Sequence, residues 1–174
     1  FRNVCRDIAA WKHSGDIRDE LRVSVNVSGR EFTQPDLPDF VMETIALNGI
    51  LPANIGIEIT ESVFMDDMQQ ANLTLLKLKN AGITLYMDDF GTGYSSLSYL
   101  QHFPVDVIKI DKSFVRWMHI DEQSEHIVKS IIGLAHGLQM KVVAEGGEEE
   151  EHVEMLSSWN CDYSQGYYHS KPLP

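Results

Sequence analysis

Cysteine is nearly absent. Cys5 and Cys161 are the only two in 174 residues, too few for a disulfide framework or a zinc cage, so free thiols in a reducing cytoplasm are expected. Long apolar runs are missing too: none approaches the roughly 20 residues that cross a bilayer. The chain opens on FRNVCRDIAAWKHSG, which carries no signal-peptide pattern. Positive charge is scarce, with 14 Lys and Arg against 26 Asp and Glu and a net charge of −12. That balance excludes plain electrostatic binding to a nucleic-acid polymer or an anionic membrane surface. A phosphate-bearing ligand would need a divalent cation to neutralise an acidic site. Finally, none of the seven histidines stands at HExxH spacing, which weakens any zinc-enzyme reading.

What remains is an ordinary globular composition, 43% hydrophobic and 23% charged, long enough for one domain with a sizeable core. Along the chain, Val4, Ile8 and Trp11 share a helical face over 1–14, and Gly15 is placed as a stop. LRVSVNVS alternates as a strand ending near Asn26. A helix is expected over 37–48, with Pro38 near its start and Gly49 past its end. NIGIEIT reads as a strand, 67–80 as a helix closed by Gly82, and ITLYMDD as a strand. SSLSYLQHF reads as a short helix, VDVIKID as a strand, 122–138 as a helix with Ile127, Ile131 and Ala135 at core spacing, and MKVVAE as a strand. A helix over 149–159 and a final short strand in CDYSQGYY complete the pattern. Strict alternation of strand and helix demands a parallel sheet covered by helices. An open doubly wound sheet and a TIM-type (β/α) barrel both satisfy it. A helix at Phe1 needs strands before it, so the expected fold is α/β, a barrel with six strands that lacks its first two. The whole of 1–174 is read as one partial domain.

The unusual polar residues are Asn26, Glu58, the pair Asp88 and Asp89, Lys109, Glu145 and Gln165. Each falls at or beside the C-terminal end of a different expected strand, and in a parallel barrel those ends converge on the face where active sites are built. Four carboxylates and a carboxamide are hard oxygen donors suited to Mg²⁺ or Mn²⁺. So many carboxylates suggest two ions, which about 3.5–4 Å apart clamp the attacking and leaving oxygens of a phosphodiester displacement. Adjacent strand residues point to opposite faces, so Asp88 and Asp89 can both reach the rim only if the chain turns at Asp89; Gly91 and Gly93 supply a loop for it. Lys109 could orient or deprotonate the attacking water, or stabilise charge on the phosphate. Taken singly, each residue has a plainer reading: Asn26 as a strand-end turn, Glu58 facing solvent, the aspartate pair as a helix cap, Lys109 on the surface. Glu148 to Glu151 read as a solvated first helical turn, and the histidines as structural or exposed.

The stretches VSVNVS, EITES, DDFGTGYSSL, VIKIDKSFV, AEGGE and QGYYHSKPLP, in this order, resemble the EAL domain family of cyclic di-GMP phosphodiesterases. That resemblance implies hydrolysis of cyclic di-GMP to linear pGpG with Mg²⁺ or Mn²⁺, two ions in the intact domain, in bacterial second-messenger signalling. By the same resemblance Asn26, Glu58 and Asp88 are ligands of the first metal, with Asp88 bridging, and Asp89 and Glu145 lie on the second-metal side. Lys109 is the water-activating lysine, Gln165 lies near the nucleophilic water, and Glu148 is retained beside Glu145. Glu61 anchors the loop from Phe90 through Gly91, Thr92 and Gly93 to Leu97, which couples dimerisation and metal binding to activity. Further implications are a homodimer and an upstream sensor or GGDEF domain. The chain departs from the family in two ways. It begins after the Glu-Ala-Leu stretch whose glutamate is a first-metal ligand, and Gly147 and Glu149 replace a valine and a threonine. The alternative function is an EAL-like module that binds the nucleotide or a protein partner without turnover.

Overall fold

The computed structural model describes residues 1–15, 21–63, 68–92 and 100–171. It divides into two compact units, Phe1–Tyr86 and Met87–Pro174, and strand order in the sheet follows chain order.

In the first unit, α1 (Arg2–Ser14) ends where Gly15 takes a left-handed φ of 77° and its amide reaches the carbonyls of Trp11 and Lys12. Its buried face is Cys5 and Ile8, while Trp11 is 43% exposed, so the helix turns a narrower stripe inward than the Val4–Ile8–Trp11 spacing suggests. Strand β1 (Val23–Asn26) pairs in parallel with β2 (Ile55–Thr60), with Asn26 opposite Glu58. Between them lie a one-turn helix α2 (Gly29–Phe32), α3 (Leu37–Leu47) and a 3₁₀ turn (Pro52–Asn54). The short α2 carries a capping box, Ser28 with Glu31, which the hydrophobic periodicity of so short a segment cannot reveal. The entry to β2 is tied down by Asn54, 1% exposed, which donates to the Leu21 carbonyl at 2.8 Å and accepts from the Leu51 amide at 3.2 Å. Nearly all of IGIEIT is buried, as expected of a strand covered on both faces. Helix α4 (Met68–Asn80) buries Ala71, Leu75 and Leu78 at helical spacing.

Strand β3 (Thr84–Phe90) contains the boundary between the units. In the second unit, β4 (Val107–Ile110), β5 (Lys141–Glu145) and β6 (Tyr163–Gln165) form successive parallel pairs. They are joined by a one-turn helix α5 (Lys112–Val115), by α6 (Glu122–Gly137) and by α7 (Glu150–Ser158). Helix α6 is capped by the Asp121 carboxylate, which accepts from the Ser124 amide at 2.8 Å. It buries Val128, Ile131, Ile132 and Ala135. The helix expected in SSLSYLQHF falls largely on 93–99, outside the described residues.

Candidate functional site

In the second unit a polar cluster is built on the ends of three strands. Asp88 is buried near the end of β3, and Asp89, exposed, follows with a φ of 53°. Aspartate is among the few residues that tolerate this left-handed conformation, so the turn expected of the pair is present. It brings Asp89 to the side of its neighbour: one oxygen each from Asp88, Asp89 and Glu145 lies within 4.8 Å of the others. The cluster is held by Lys109, 4% exposed on β4. Its ammonium lies 2.9 Å from Asp88 Oδ1 and 2.7 Å from Glu145 Oε1. The plainer reading of Lys109 as a surface residue therefore does not hold. Burial pushes the Asp89 carboxyl above its ordinary pKa, helped by the charges of Asp88 and Asp111 and opposed by Lys109 and Lys112.

The loops below this cluster pack backbone on backbone. The Gln165 carbonyl accepts from the amides of Gly146 at 2.8 Å and Gly147 at 3.3 Å. A Cβ on Gly166 would stand 2.2 Å from the Gly147 oxygen, and one on Gly146, whose φ is 79°, would stand 2.7 Å from the Lys112 side chain. Glycine is required at both positions for the β5 and β6 ends to meet. The Gln165 side chain is exposed, as is Glu148. Phe90 is buried, and the Thr92 amide and hydroxyl both donate to the Asp89 carbonyl, at 3.3 and 2.9 Å. That pins the first residues of the loop through Gly91 and Thr92; Gly93 to Leu97 lie outside the described residues.

In the first unit Asn26 and Glu58 stand opposite each other on β1 and β2. Asn26 is exposed. Glu58 is 6% exposed and accepts a short hydrogen bond from the Ser24 hydroxyl, so it does not face solvent. Ser24 is a site residue that the sequence reading passed over, although its signal was present: two residues before Asn26, it shares that residue's face of the strand. Glu61 follows β2 half-buried.

A carboxylate group that is buried at Asp88, half-buried at Glu145 and exposed at Asp89, beside an ammonium and with only hard oxygen donors, suits Mg²⁺ or Mn²⁺ better than zinc or copper. The comparisons with known proteins agree with this chemistry. The EAL domain family model matches residues 1–172. Along all of its 174 residues the chain is 43% identical to an uncharacterized signaling protein of Caulobacter vibrioides. It is 36% identical to the cyclic di-GMP phosphodiesterase NbdA of Pseudomonas aeruginosa. It spans 21% and 22% of the length of those two relatives. Among solved structures, the EAL domain of Mycobacterium smegmatis DcpA matches 99% of the chain with a TM-score of 0.94 at 34% identity, the match covering 77% of that chain. The PaMucR phosphodiesterase in complex with c-di-GMP matches 99% of the chain and 69% of its own, with a TM-score of 0.93 at 34% identity. A manganese and cyclic di-GMP complex of Klebsiella pneumoniae BlrP1 matches 97% of the chain and 43% of its own, with a TM-score of 0.85 at 31% identity. The α/β barrel class with six strands expected from the sequence is thus that of solved EAL domains, and the chain belongs to the EAL domain family.

Proposed function

We propose that this chain hydrolyses cyclic di-GMP to linear pGpG as the output domain of a larger cytoplasmic signalling protein. The observation that carries the reading is the set of Asp88, Asp89 and Glu145 oxygens within 4.8 Å of one another, with Lys109 buried among them. A domain that only bound a nucleotide would have no need to bury an ammonium against so dense a set of carboxylates, a costly arrangement unless used. Relatives whose names or structures state cyclic di-GMP hydrolysis or binding support the substrate.

Asn26, Glu58, Asp88, Asp89 and Glu145 are the proposed metal ligands. Divalent ions held there would polarise the phosphate and lower the pKa of a bound water. Ser24 orients the Glu58 carboxylate through its hydrogen bond. Lys109 is held as an ammonium between Asp88 and Glu145 and donates from Nζ, which would orient the attacking water and stabilise charge on the phosphate. Water adds to phosphorus, the bond from phosphorus to the ribose 3′-oxygen breaks, and the leaving oxygen takes up a proton. Glu61 steadies the loop that starts at Phe90, and Gln165 and Glu148 border the site.

The test is chromatography of cyclic di-GMP incubated with the protein and Mg²⁺, beside an EDTA control and Asp88→Ala. The expected result is pGpG from the wild type with metal alone and none from the variant. Intact nucleotide recovered from folded wild-type protein with Mg²⁺ and with Mn²⁺ would replace this reading with a binding module.

A further inference from the structure

A second group of ligating side chains lies in the second unit, away from the carboxylates just described. His152, in the first turn of α7, is 2% exposed. Its Nε2 lies 2.8 Å from Nδ1 of His119, in the turn that follows α5. The two rings meet edge to face, with centroids 4.6 Å apart. Glu149, the residue before α7, completes the group: one ligand atom from each of His119, Glu149 and His152 lies within 4.8 Å of the other two. The two histidines are separated by 33 positions, so no spacing motif could have joined them.

A hydrogen bond between two imidazoles uses one proton and leaves each ring a second nitrogen to satisfy. Here Nδ1 of His152 is buried with no hydrogen-bond partner among the described residues, an unusual state for a core histidine. Burial lowers the pKa of His152, with the neighbouring His119 acting in the same direction and Glu149, Glu151 and Glu148 opposing. A neutral imidazole keeps one lone pair to donate to a cation. Two imidazole nitrogens and one carboxylate suit a borderline cation. At 2.8 Å the facing nitrogens need to part by only about half an ångström to become tetrahedral ligands at ~2.0–2.1 Å. His119 itself is half-buried and stands in a turn, not in a helix or strand.

We propose that His119, Glu149 and His152 form a transition-metal site for Zn²⁺ or a cation of similar preference, distinct from the oxygen-donor cluster. As the cation takes the two facing lone pairs, the proton between the rings passes to the outer nitrogen of the ring that carried it, so both ligands remain neutral imidazoles. A cation held there joins the turn after α5 to the start of α7, and so stiffens the segment 146–149 that leads directly from Glu145. The inference rests on this geometry and does not depend on the phosphodiesterase reading.

It is tested by equilibrium dialysis of the protein against Zn²⁺, with Mg²⁺ in large excess to hold the oxygen donors, and elemental analysis of the bound metal. The wild type is expected to bind one more Zn²⁺ per chain than His119→Ala, whose affinity at this site falls about tenfold or more. Co²⁺ should give the wild type a visible absorption band that the variant lacks. Equal Zn²⁺ content and affinity in the wild type and a folded His119→Ala overturn the proposal. Should that variant lose its far-ultraviolet circular dichroism, Glu149→Gln at an exposed position decides, and an unchanged Zn²⁺ affinity there overturns it equally.

Discussion

Replacing Lys109 by methionine isolates the electrostatics of the carboxylate cluster, because the stem keeps its length and packing while the charge goes. In the wild type the ammonium lies 2.9 Å from Asp88 and 2.7 Å from Glu145, and the side chain is only 6% exposed. Removing one partner of a buried ion pair costs about 3–5 kcal/mol, chiefly because the other charge stays buried. Asp88 and Glu145 keep 12% and 19% side-chain exposure, which lets water and protonation relieve part of the repulsion. The lower end, about 3 kcal/mol, is therefore expected. For a chain of this size each kcal/mol moves Tm by roughly 2–4 °C, so Lys109→Met should melt about 6–12 °C below the wild type in EDTA. Mg²⁺ or Mn²⁺ should then raise the Tm of the variant more than that of the wild type, since a cation replaces the missing ammonium. Thermal melts followed by circular dichroism, with EDTA and with metal, measure both effects. A variant that melts within about 2 °C of the wild type in EDTA would refute the assignment of Lys109 as the counter-charge. An equal metal response in the two proteins would refute the view that the carboxylates are left competing for a cation.

Asp162 offers a pH-dependent prediction: burial favours its protonated form, but the hydrogen bonds from His136 and the Val142 amide, with the His136 and Lys141 charges, hold its pKa below the ordinary value. A depressed carboxyl pKa contributes stability above the unfolded value of about 3.9 and loses it as pH falls through the folded value. Asp162→Asn should thus have a lower urea midpoint than the wild type near neutral pH, and the gap should close below about pH 4; a gap of constant size at both pH values would contradict this. Gly166→Ala places a Cβ 2.2–2.6 Å from three backbone atoms of Gly147 and should destabilise by about 3 kcal/mol, read by chemical denaturation; wild-type stability would show that the β5 and β6 ends do not meet as described.

Much of this was legible in the chain. The alternation of VSVN and the apolar run IGIEIT mark β1 and β2, and Gly15, Gly49 and Gly82, each with positive φ, fall where the helices were expected to end. The need for a turn at Asp89 followed from strand geometry alone, because neighbouring residues on a strand face opposite ways. The acidic balance pointed to a divalent cation before any site was located. Less legible were the one-turn helices Gly29–Phe32 and Lys112–Val115, too short to show a hydrophobic period. The exposure of Trp11 was also missed, because spacing places a residue on a face without saying how wide a face the neighbouring elements cover.

Periodicity, punctuation and residue type belong to neighbours along the chain, and they were enough to determine the alternation of elements, the strand-end position of each polar residue and the supply of hard oxygen donors there. Only the tertiary structure decided that Ser24 bonds Glu58, that one ammonium answers both Asp88 and Glu145, and that His119 meets His152. The physical reason is that such contacts depend on strand order, register and loop path, which bring together side chains dozens of residues apart and are encoded in no local stretch.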